Sequence, residues 1–504
     1  MITYRKAEGR LETKPHMTEQ LKFGTSGLRG LVSDLTDDII MRYAHAFLRH
    51  LEKIGKISKE ASVIVGYDLR SSSPHIKNVV IKTIEDRGYS VINAGEVPTP
   101  ALALYSLSHR YPAIMVTGSH IPDDRNGLKF YRPDGEITKQ DERSIVNELD
   151  KTAKGDKGGL SENDTPYHLA ENYQSPPVVP DVLELYRKRC LSILPKSALQ
   201  DMKIGIYQHS SIVRDFLVEV LSSLGAKTVA IGRADHFVPV DTEALRDFDR
   251  KLALDAVRQY GLDALVSTDG DADRPLIAGS DGIFLKGDVV GMLTAKYLFA
   301  DAVVTPVTST SAVETSHFFE HVYRTSVGSP YVIAGMKQAL SDGYHTIVGF
   351  EANGGVLLGS DISSETCELK KLATRDAMLP ILALLGFAQL RGSSVQALQG
   401  SLPRRFTASN RLSNIDMKKA KQILHDLEDA ATCVHFFHPL GTIKHWDVID
   451  GLRVIMDNGD IVHFRLSGNA PELRCYSEAA SQEQADKLLE WGLENIARTL
   501  EKAS

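Results

Sequence analysis

The chain has 504 residues, of which 42% are hydrophobic, 24% charged and 7% aromatic, proportions of a soluble globular protein that exclude disorder, collagen and disulfide miniproteins. Its 58 Lys and Arg stand against 65 Asp and Glu, a net charge of -7, so no global positive field favours nucleic acid and any basic site must be local. At about 100–200 residues per domain, the length implies about three to five domains. Cys190, Cys367, Cys433 and Cys475 lie far apart with no C-x-x-C pair, which suggests neither structural zinc nor a disulfide framework and makes reducing cytosol the expectation. Residues 1–14 are charged throughout without the apolar run of a signal peptide, and no run of about 18 apolar residues occurs anywhere, so neither export nor membrane spanning is expected.

In chain order, Phe23-Gly24-Thr25-Ser26-Gly27-Leu28-Arg29-Gly30 comes first, a glycine-rich segment through which backbone amides and the Arg29 guanidinium can approach an anion. It lacks the lysine of a Walker loop, and a plain structural turn is the competing reading. Ser62–Tyr67 then reads as a strand, Ser71–Ser73 as a turn, the stretch to Asp86 as a helix and Ser90–Asn93 as a second strand. The same order returns from Lys203–Tyr207 through a helical stretch ending at Leu224-Gly225 to Lys227–Ile231, and from Ala302–Val307 through a helical stretch to His321 and a run ending at Val327-Gly328. Three βαβ units are the economical interpretation. Lys151–Pro180, rich in Lys, Gly, Asp and Pro, reads as a linker or surface excursion. After Gly400 the pattern changes: a helical stretch Met417–Ala430, strands near Gly451–Val454 and Ile461–Leu466, and a last helix from Gln482 make a fourth, α+β unit.

Each βαβ unit ends in a further apolar run that stops at a polar loop: Ala113–Val116 before Thr117-Gly118-Ser119-His120, Ala264–Val266 before Thr268–Asp273, and Thr346–Val348 before Gly349–Asn353. Ligands of open α/β sheets sit at such strand ends, so one cleft shared by three domains is expected. Asp269, Asp271 and Asp273 alternate on one tight loop and cannot all ionise comfortably without a cation between them. An EF-hand is rejected because Arg274 and Ser280 occupy its Gly and Glu positions. Three monodentate oxygens, with room for a phosphate oxygen and waters, suit Mg²⁺.

Ser119 is a candidate nucleophile or phosphate carrier, with His120 or Lys129 moving protons. A cap or turn role competes with that reading, and no G-x-S-x-G elbow surrounds it. Glu351 and Asn353, two residues apart, point the same way if the extended geometry persists, and together suit sugar hydroxyls. Arg465–Arg474 (R-L-S-G-N-A-P-E-L-R) places two guanidinium forks around a Ser-Gly-Asn turn, a bidentate phosphate clamp or a hairpin with surface arginines.

In this order, from Phe23 to about Glu478, these elements resemble the α-D-phosphohexomutase family. Its members carry a phosphoserine loop similar to T-A-S-H-N-P, a metal loop similar to D-G-D-x-D-R, a sugar loop similar to G-E-x-S-G and a phosphate loop similar to R-P-S-G-T-E-P-x-x-R. The resemblance implies three similar α/β domains with mixed sheets flanked by helices, plus a smaller α+β C-terminal domain around a central cleft, with boundaries expected at 1–160, 161–296, 297–400 and 401–504. It implies that Ser119 carries the phosphoryl group and that Asp269, Asp271 and Asp273, with Ser119, hold Mg²⁺. By the same resemblance Arg29, His120, Lys129 and Arg274 surround the reacting phosphate, with Lys129 as general acid/base. Glu351 and Asn353 read sugar hydroxyls, and Arg465, Ser467, Gly468, Asn469 and Arg474 hold the phosphate that is not reacting.

Gly118 and Ile121 depart from the usual Ala and Asn, Leu466 from Pro, and Asn469-Ala470 from Thr-Glu, yet no serine, arginine or aspartate of the pattern is lost. The implied activity is reversible interconversion of hexose 6- and 1-phosphates through a phosphoserine and a hexose 1,6-bisphosphate, itself the activator. Mannose is favoured and glucose is a second activity. The alternatives are an N-acetylglucosamine or glucosamine phosphate mutase, to whose pattern Glu351-Ala352-Asn353-Gly354 is similar, a Mg²⁺-dependent phosphatase, and a non-catalytic phosphosugar-binding protein. The expected partner is a small phosphosugar, with no nucleic acid or membrane, in a cytoplasmic monomer or homodimer.

Overall fold

The computed structural model describes residues 21–24, 27–152, 167–363, 368–468 and 471–502. Thr25, Ser26, Asn469, Ala470 and the middle of the Lys- and Gly-rich linker fall outside them. The first sheet contains β1 (Lys22–Gly24), β2 (Gly27–Leu31), β3 (Ser62–Tyr67), β4 (Ser90–Glu96), β5 (Ala113–Val116), β6 (Arg125–Arg132) and β7 (Gly135–Glu136). Its order is β1-β2-β6-β5-β3-β4, with β7 on β6. β3 runs parallel to both β4 and β5, while β6 returns antiparallel. The S-V-I-V-G-Y run forms a central strand because helices cover both of its faces. Val63 and Val65 pack with Ile40, Phe47 and Val80 on one side, and Ile64 with Ala101 and Leu102 on the other.

The next two sheets repeat this plan. The second joins β8 (Lys203–His209), β9 (Lys227–Arg233), β10 (Ala264–Thr268) and β11 (Pro275–Gly279) in the order β11-β10-β8-β9. The third joins β12 (Ala302–Pro306), β13 (His321–Thr325), β14 (Ile347–Phe350), β15 (Val356–Leu358) and, beyond the ribbon of β16 (Ile362–Ser363) and β17 (Glu368–Leu369), β18 (Leu372–Asp376), in the order β13-β12-β14-β15-β18. Each is mixed, with parallel neighbours on the central strand and an antiparallel return. One continuous core runs through all three, taking in Ile64, Ile204, Val266, Val303 and Val348.

The C-terminal unit has its own core. β19 (Phe406–Ser413), β20 (Ile443–Asp447), β21 (Leu452–Met456), β22 (Ile461–Leu466) and β23 (Glu472–Ala479) form an antiparallel sheet in the order β19-β23-β22-β21-β20. The final helix Gln482–Lys502 lays Ala485, Leu488 and Ile496 on Val462, Phe464 and Cys475. Here the alternation is one-sided, as an antiparallel sheet with one covered face requires.

Two expectations need correction. In the third unit the helix spans only Ala312–Thr315, and His321 opens a strand instead of closing a helix. The stretch Met417–Ala430 is two helices, Met417–Asp426 and Ala430–Phe437. Asp429 caps the second through Thr432 N, which offers the backbone a fresh start. The described end of the linker lies against the first domain, where Lys77 donates to Ser175 Oγ at 2.9 Å and Val179 N to Asn93 O at 2.8 Å.

Candidate active site

The Thr117–His120 loop begins where β5 ends. Thr117 N donates to Gly127 O at 3.0 Å, and Thr117 Oγ1 donates to the buried Asp68 at 2.7 Å while accepting Ser119 N at 2.8 Å. Ser119 is fully buried with φ +56°. A left-handed serine costs roughly 1–2 kcal/mol and persists only where surrounding bonds over-determine it. Its hydroxyl donates to Asp269 Oδ2 at 2.6 Å, which joins the first strand end to the second. His120 Nδ1 lies 3.4 Å from the same hydroxyl. Burial, then Arg274 and Arg29, push the imidazole far below its ordinary value, so it is neutral.

Asp269, Asp271 and Asp273 are buried, and one oxygen of each lies within 4.8 Å of the others. Among the described residues, Asp271 Oδ1 and Asp273 Oδ1 have no hydrogen-bond partner, the latter meeting only Arg274 Nε at 3.6 Å. Buried anionic oxygens left bare are costly unless a cation meets them, so these three residues fit a divalent ion. Lys129, on β6, donates to Asp271 Oδ2 at 2.6 Å and Asp273 Oδ2 at 2.7 Å. Burial raises the Asp269 carboxyl well above the ordinary range, assisted by Asp271 and Asp273. Burial acts on Asp273 too, but Arg375, Lys129 and Arg274 outweigh it and hold that carboxylate well below the range. Burial lowers the Lys129 ammonium, and Asp271 and Asp273 more than restore it, so the net shift is upward.

A cavity of about 510 Å³ opens above this centre, within the range of small-molecule sites. Arg29, His120, Arg274, Glu351, Asn353 and Arg375 line its inner end. Among the described residues, Arg29 Nε and Nη2 and Arg274 Nε and Nη1 are buried without hydrogen-bond partners, although the Arg274 atoms stand 3.6–3.8 Å from Asp273, Asp241 and Glu243. Burial, then Arg274, lowers Arg29 to about 10. The loop after β14 is a tight turn, not the extended segment expected, since Gly354 N donates to Glu351 O at 3.0 Å and Glu351 N to Gly355 O at 3.1 Å. Both side chains nevertheless reach the cavity. Glu351 Oε2 accepts from Arg375 Nη1 at 2.6 Å, and Arg375 Nη2 donates to Asp273 Oδ2 at 2.7 Å, so one buried guanidinium joins the third strand end to the second.

The outer wall belongs to the C-terminal sheet, where Arg465, Ser467, Gly468 and Arg474 line the cavity. Arg465 and Arg474 are direct cross-strand partners on β22 and β23. Like charges so placed repel unless an anion sits between them. Asp450 neutralises Arg465 at 2.6 Å, and Ser467 N closes the turn on Glu472 O at 2.9 Å. Asn469 lies outside the described residues. The structure thus brings Ser119, Lys129 and the aspartates into one buried cluster, and Arg29, His120, Arg274, Glu351, Asn353, Arg465, Ser467, Gly468 and Arg474 around one cavity.

Sequence reasoning missed Asp68, Arg70 and Arg375, which hold these loops from behind, and the sheet face beneath the clamp: Thr407 and Ser409 on β19, Tyr476 and Glu478 on β23 and Ile461 and His463 on β22 also line the cavity. Alternation in I-V-H-F-R-L and L-R-C-Y-S-E, with every second residue in the core, was the signal that could have found that face.

A serine hydroxyl on one carboxylate of a trio, the cations Arg29, Lys129, Arg274 and Arg375 beside it and a cleft ringed by three strand ends define a phosphoryl-transfer enzyme. Models of the phosphoglucomutase/phosphomannomutase family match throughout: alpha/beta/alpha domain I over residues 20–156, domain II over 184–282, domain III over 286–406 and the C-terminal domain over 412–490. The chain belongs to this family, as its four motifs implied. It is 44% identical over 489 residues to a phosphomannomutase of Salmonella muenchen, covering 96% of this chain and 97% of the relative. It is 41% identical over 474 residues to a phosphomannomutase of Sinorhizobium fredii, covering 94% and 98%. A crystal structure of a phosphoglucomutase/phosphomannomutase family protein from Burkholderia thailandensis shares the fold, with TM-score 0.73, 18% identity and coverage of 95% and 97%. No helix among the described residues is long and apolar enough to cross a membrane.

Proposed function

We propose that this enzyme interconverts mannose 6-phosphate and mannose 1-phosphate, using Ser119 as the phosphoryl carrier. The observation that carries the reading is the Ser119 hydroxyl on Asp269 at 2.6 Å, beside Arg29, whose buried Nε and Nη2 have no hydrogen-bond partner among the described residues, and Arg274, whose Nε and Nη1 meet Asp273, Asp241 and Glu243 only at 3.6–3.8 Å. Those donors suit an anion with several oxygens. Mannose is supported by the two phosphomannomutase relatives above 40% identity.

Asp269, Asp271 and Asp273 would hold Mg²⁺, which supplies positive charge to a transferring phosphoryl group. In the forward half-reaction the bond between phosphorus and Ser119 Oγ breaks as a bond to the sugar hydroxyl oxygen forms; the Lys129 ammonium gives a proton to the departing Ser119 oxygen and takes the one that the sugar hydroxyl loses, so it ends the step charged as it began. Arg29 and Arg274 spread the charge on the equatorial oxygens. Glu351 and Asn353 orient the ring hydroxyls, while Arg465, Ser467, Gly468, Asn469 and Arg474 hold the far phosphate. The hexose 1,6-bisphosphate turns round, and its other phosphate returns to Ser119. Because the clamp must serve both orientations, it recognises the phosphate rather than the anomeric carbon.

The test is a coupled assay with mannose, glucose and N-acetylglucosamine 6-phosphates and trace bisphosphate, beside an intact mass spectrum. Phosphate on Ser119 and fastest turnover of the mannose substrate are expected. Release of inorganic phosphate in place of isomer would make the protein a phosphatase, and preference for the acetylated sugar would move the assignment to the amino-sugar mutases.

A further inference from the structure

Behind the carrier loop lies a buried guanidinium. Arg70 is 1% exposed. Its Nη1 donates to Pro122 O at 2.7 Å and Arg125 O at 2.9 Å, and its Nη2 to Ser119 O at 2.8 Å and Ile121 O at 2.6 Å. All four terminal N–H bonds are thus spent on carbonyls of one loop, and Nε faces Asp68 at 3.3 Å. Asp68 in turn accepts from Thr117, which accepts Ser119 N. The left-handed serine is therefore held from its amide and its carbonyl by one ion pair.

The flat face of Arg70 lies 3.9 Å over the ring of Phe237, which belongs to the second domain. A Cβ on Gly270, between Asp269 and Asp271, would fall 2.8 Å from Phe237 Cζ and 2.8 Å from Ser119 O. A Cβ on Gly118 would fall 2.6 Å from Arg70 Cζ. The guanidinium is anchored at both ends and cannot give way cheaply. This contact supplies a physical reason for glycine at 118, where the resemblance anticipates alanine.

We propose that Arg70 and Phe237 are positioning residues: their stack, seated between Gly118 and Gly270, sets the registry of the carrier loop against the carboxylate loop and so fixes where the Ser119 oxygen meets Asp269. The inference rests on the carrier reading of Ser119. An arginine suits the place because only a planar five-donor cation can fork to several carbonyls and still present a π face.

The test uses the full chain with the variants Phe237→Leu, Phe237→Tyr, Arg70→Lys, Gly118→Ala and Ser119→Ala, read by kcat and KM for mannose 1-phosphate with saturating bisphosphate, beside thermal unfolding. A misplaced reacting group loses turnover rather than affinity, so Phe237→Leu should lower kcat by about tenfold or more with KM within about twofold. Phe237→Tyr keeps the ring but adds an oxygen at the Cζ that presses on Gly270, so it too should lower kcat with KM steady. Gly118→Ala and Arg70→Lys should show the same split, with kcat falling and KM steady. Should Phe237→Leu retain kcat while Ser119→Ala is inactive, the stack does not position the carrier and the inference falls. A fall in thermal midpoint with unchanged kcat in the folded fraction would assign the stack to stability alone and overturn it equally. Retention of mutase activity by Ser119→Ala would overturn the carrier reading itself, a result distinct from either.

Discussion

The two ends of the cavity are built to different standards. At the inner end Ser119 and the three aspartates are fully or almost fully buried, and every loop is tied to another: Ser119 to Asp269, Lys129 to Asp271 and Asp273, Arg375 to Asp273 and Glu351. At the outer end the clamp arginines stand on a separate core, with Arg474 38% exposed at its side chain and its neighbour Glu472 at 3.7 Å. The difference follows from the chemistry proposed. A reacting phosphorus gains from donors fixed before it arrives, since fixed dipoles need no reorganisation as charge moves. A far phosphate that must be released, turned and gripped again gains from donors that water can reach.

The contrast breaks most visibly at the serine. Ser119→Ala should abolish interconversion, with a loss on the order of 10⁴-fold or more, the scale of removing a covalent nucleophile. Intact mass should fall by one phosphoryl group in the same sample. A variant that keeps turning over would leave the inner end without a reason to be so tightly held. Lys129→Met should cost roughly 10²–10⁴-fold in kcat if its ammonium manages the proton. It should also loosen the cluster, since two buried carboxylates lose their shared cation. Turnover at several pH values separates the two effects: a packing defect scales the whole profile, whereas loss of the proton carrier changes its shape.

How much of this was legible in the chain depends on which side of a residue does the work. Ser119, the aspartates and the clamp arginines could be read because they cluster within a few positions on loops after apolar runs, and the sheets because buried parallel strands are near-continuous apolar runs. Arg70 and Arg375 were invisible: each is one charged residue near a strand end, and its meaning lies in partners 49 to 55 or 24 and 102 residues away. Glu351 and Asn353 were placed on the cavity through the wrong geometry, because Gly354 and Gly355 fold the segment into a turn that strand periodicity cannot anticipate. The third helix was overestimated because T-S-T-S-A-V-E-T-S-H-F-F-E carries caps and β-branched residues that leave room for a single turn of helix.

Acid sharpens the comparison at the outer end. His463 sits under the clamp, 2% exposed, with Nε2 donating to Asp450 O at 2.7 Å. Burial, reinforced by Arg453, lowers it to about 4 from 6.5. The folded chain therefore keeps it neutral where the unfolded chain takes up a proton. Its contribution is complete above pH 6.5 and is lost as pH falls towards 4, up to about 3 kcal/mol in all. His463→Gln keeps an N–H for Asp450 and removes the titration, so its unfolding free energy in urea should fall less between pH 6.5 and 4 than the parent's. An identical slope would mean that the sheet face beneath the clamp admits water as freely as its rim.

The smallest expected effect discriminates within the clamp. Arg474 is partnered loosely, so Arg474→Ala strands no buried charge and should remove little beyond its bonds to the far phosphate. A charge-assisted hydrogen bond is worth about 1.5–3 kcal/mol, hence roughly 10- to 100-fold in KM, with kcat changed by less. Arg474→Lys should recover part of that, since an ammonium restores charge without the fork. Arg465→Ala should differ in kind. Asp450, 2.6 Å from Arg465, also accepts Val327 N at 2.9 Å and so links the C-terminal sheet to the third domain. Removing Arg465 leaves that carboxylate unneutralised at the seam, and the cost should show in thermal midpoint as well as in KM. If Arg474→Ala lowered the midpoint as much as Arg465→Ala, the outer end would be as interlocked as the inner one, and a clamp that releases its phosphate between half-reactions would need another account.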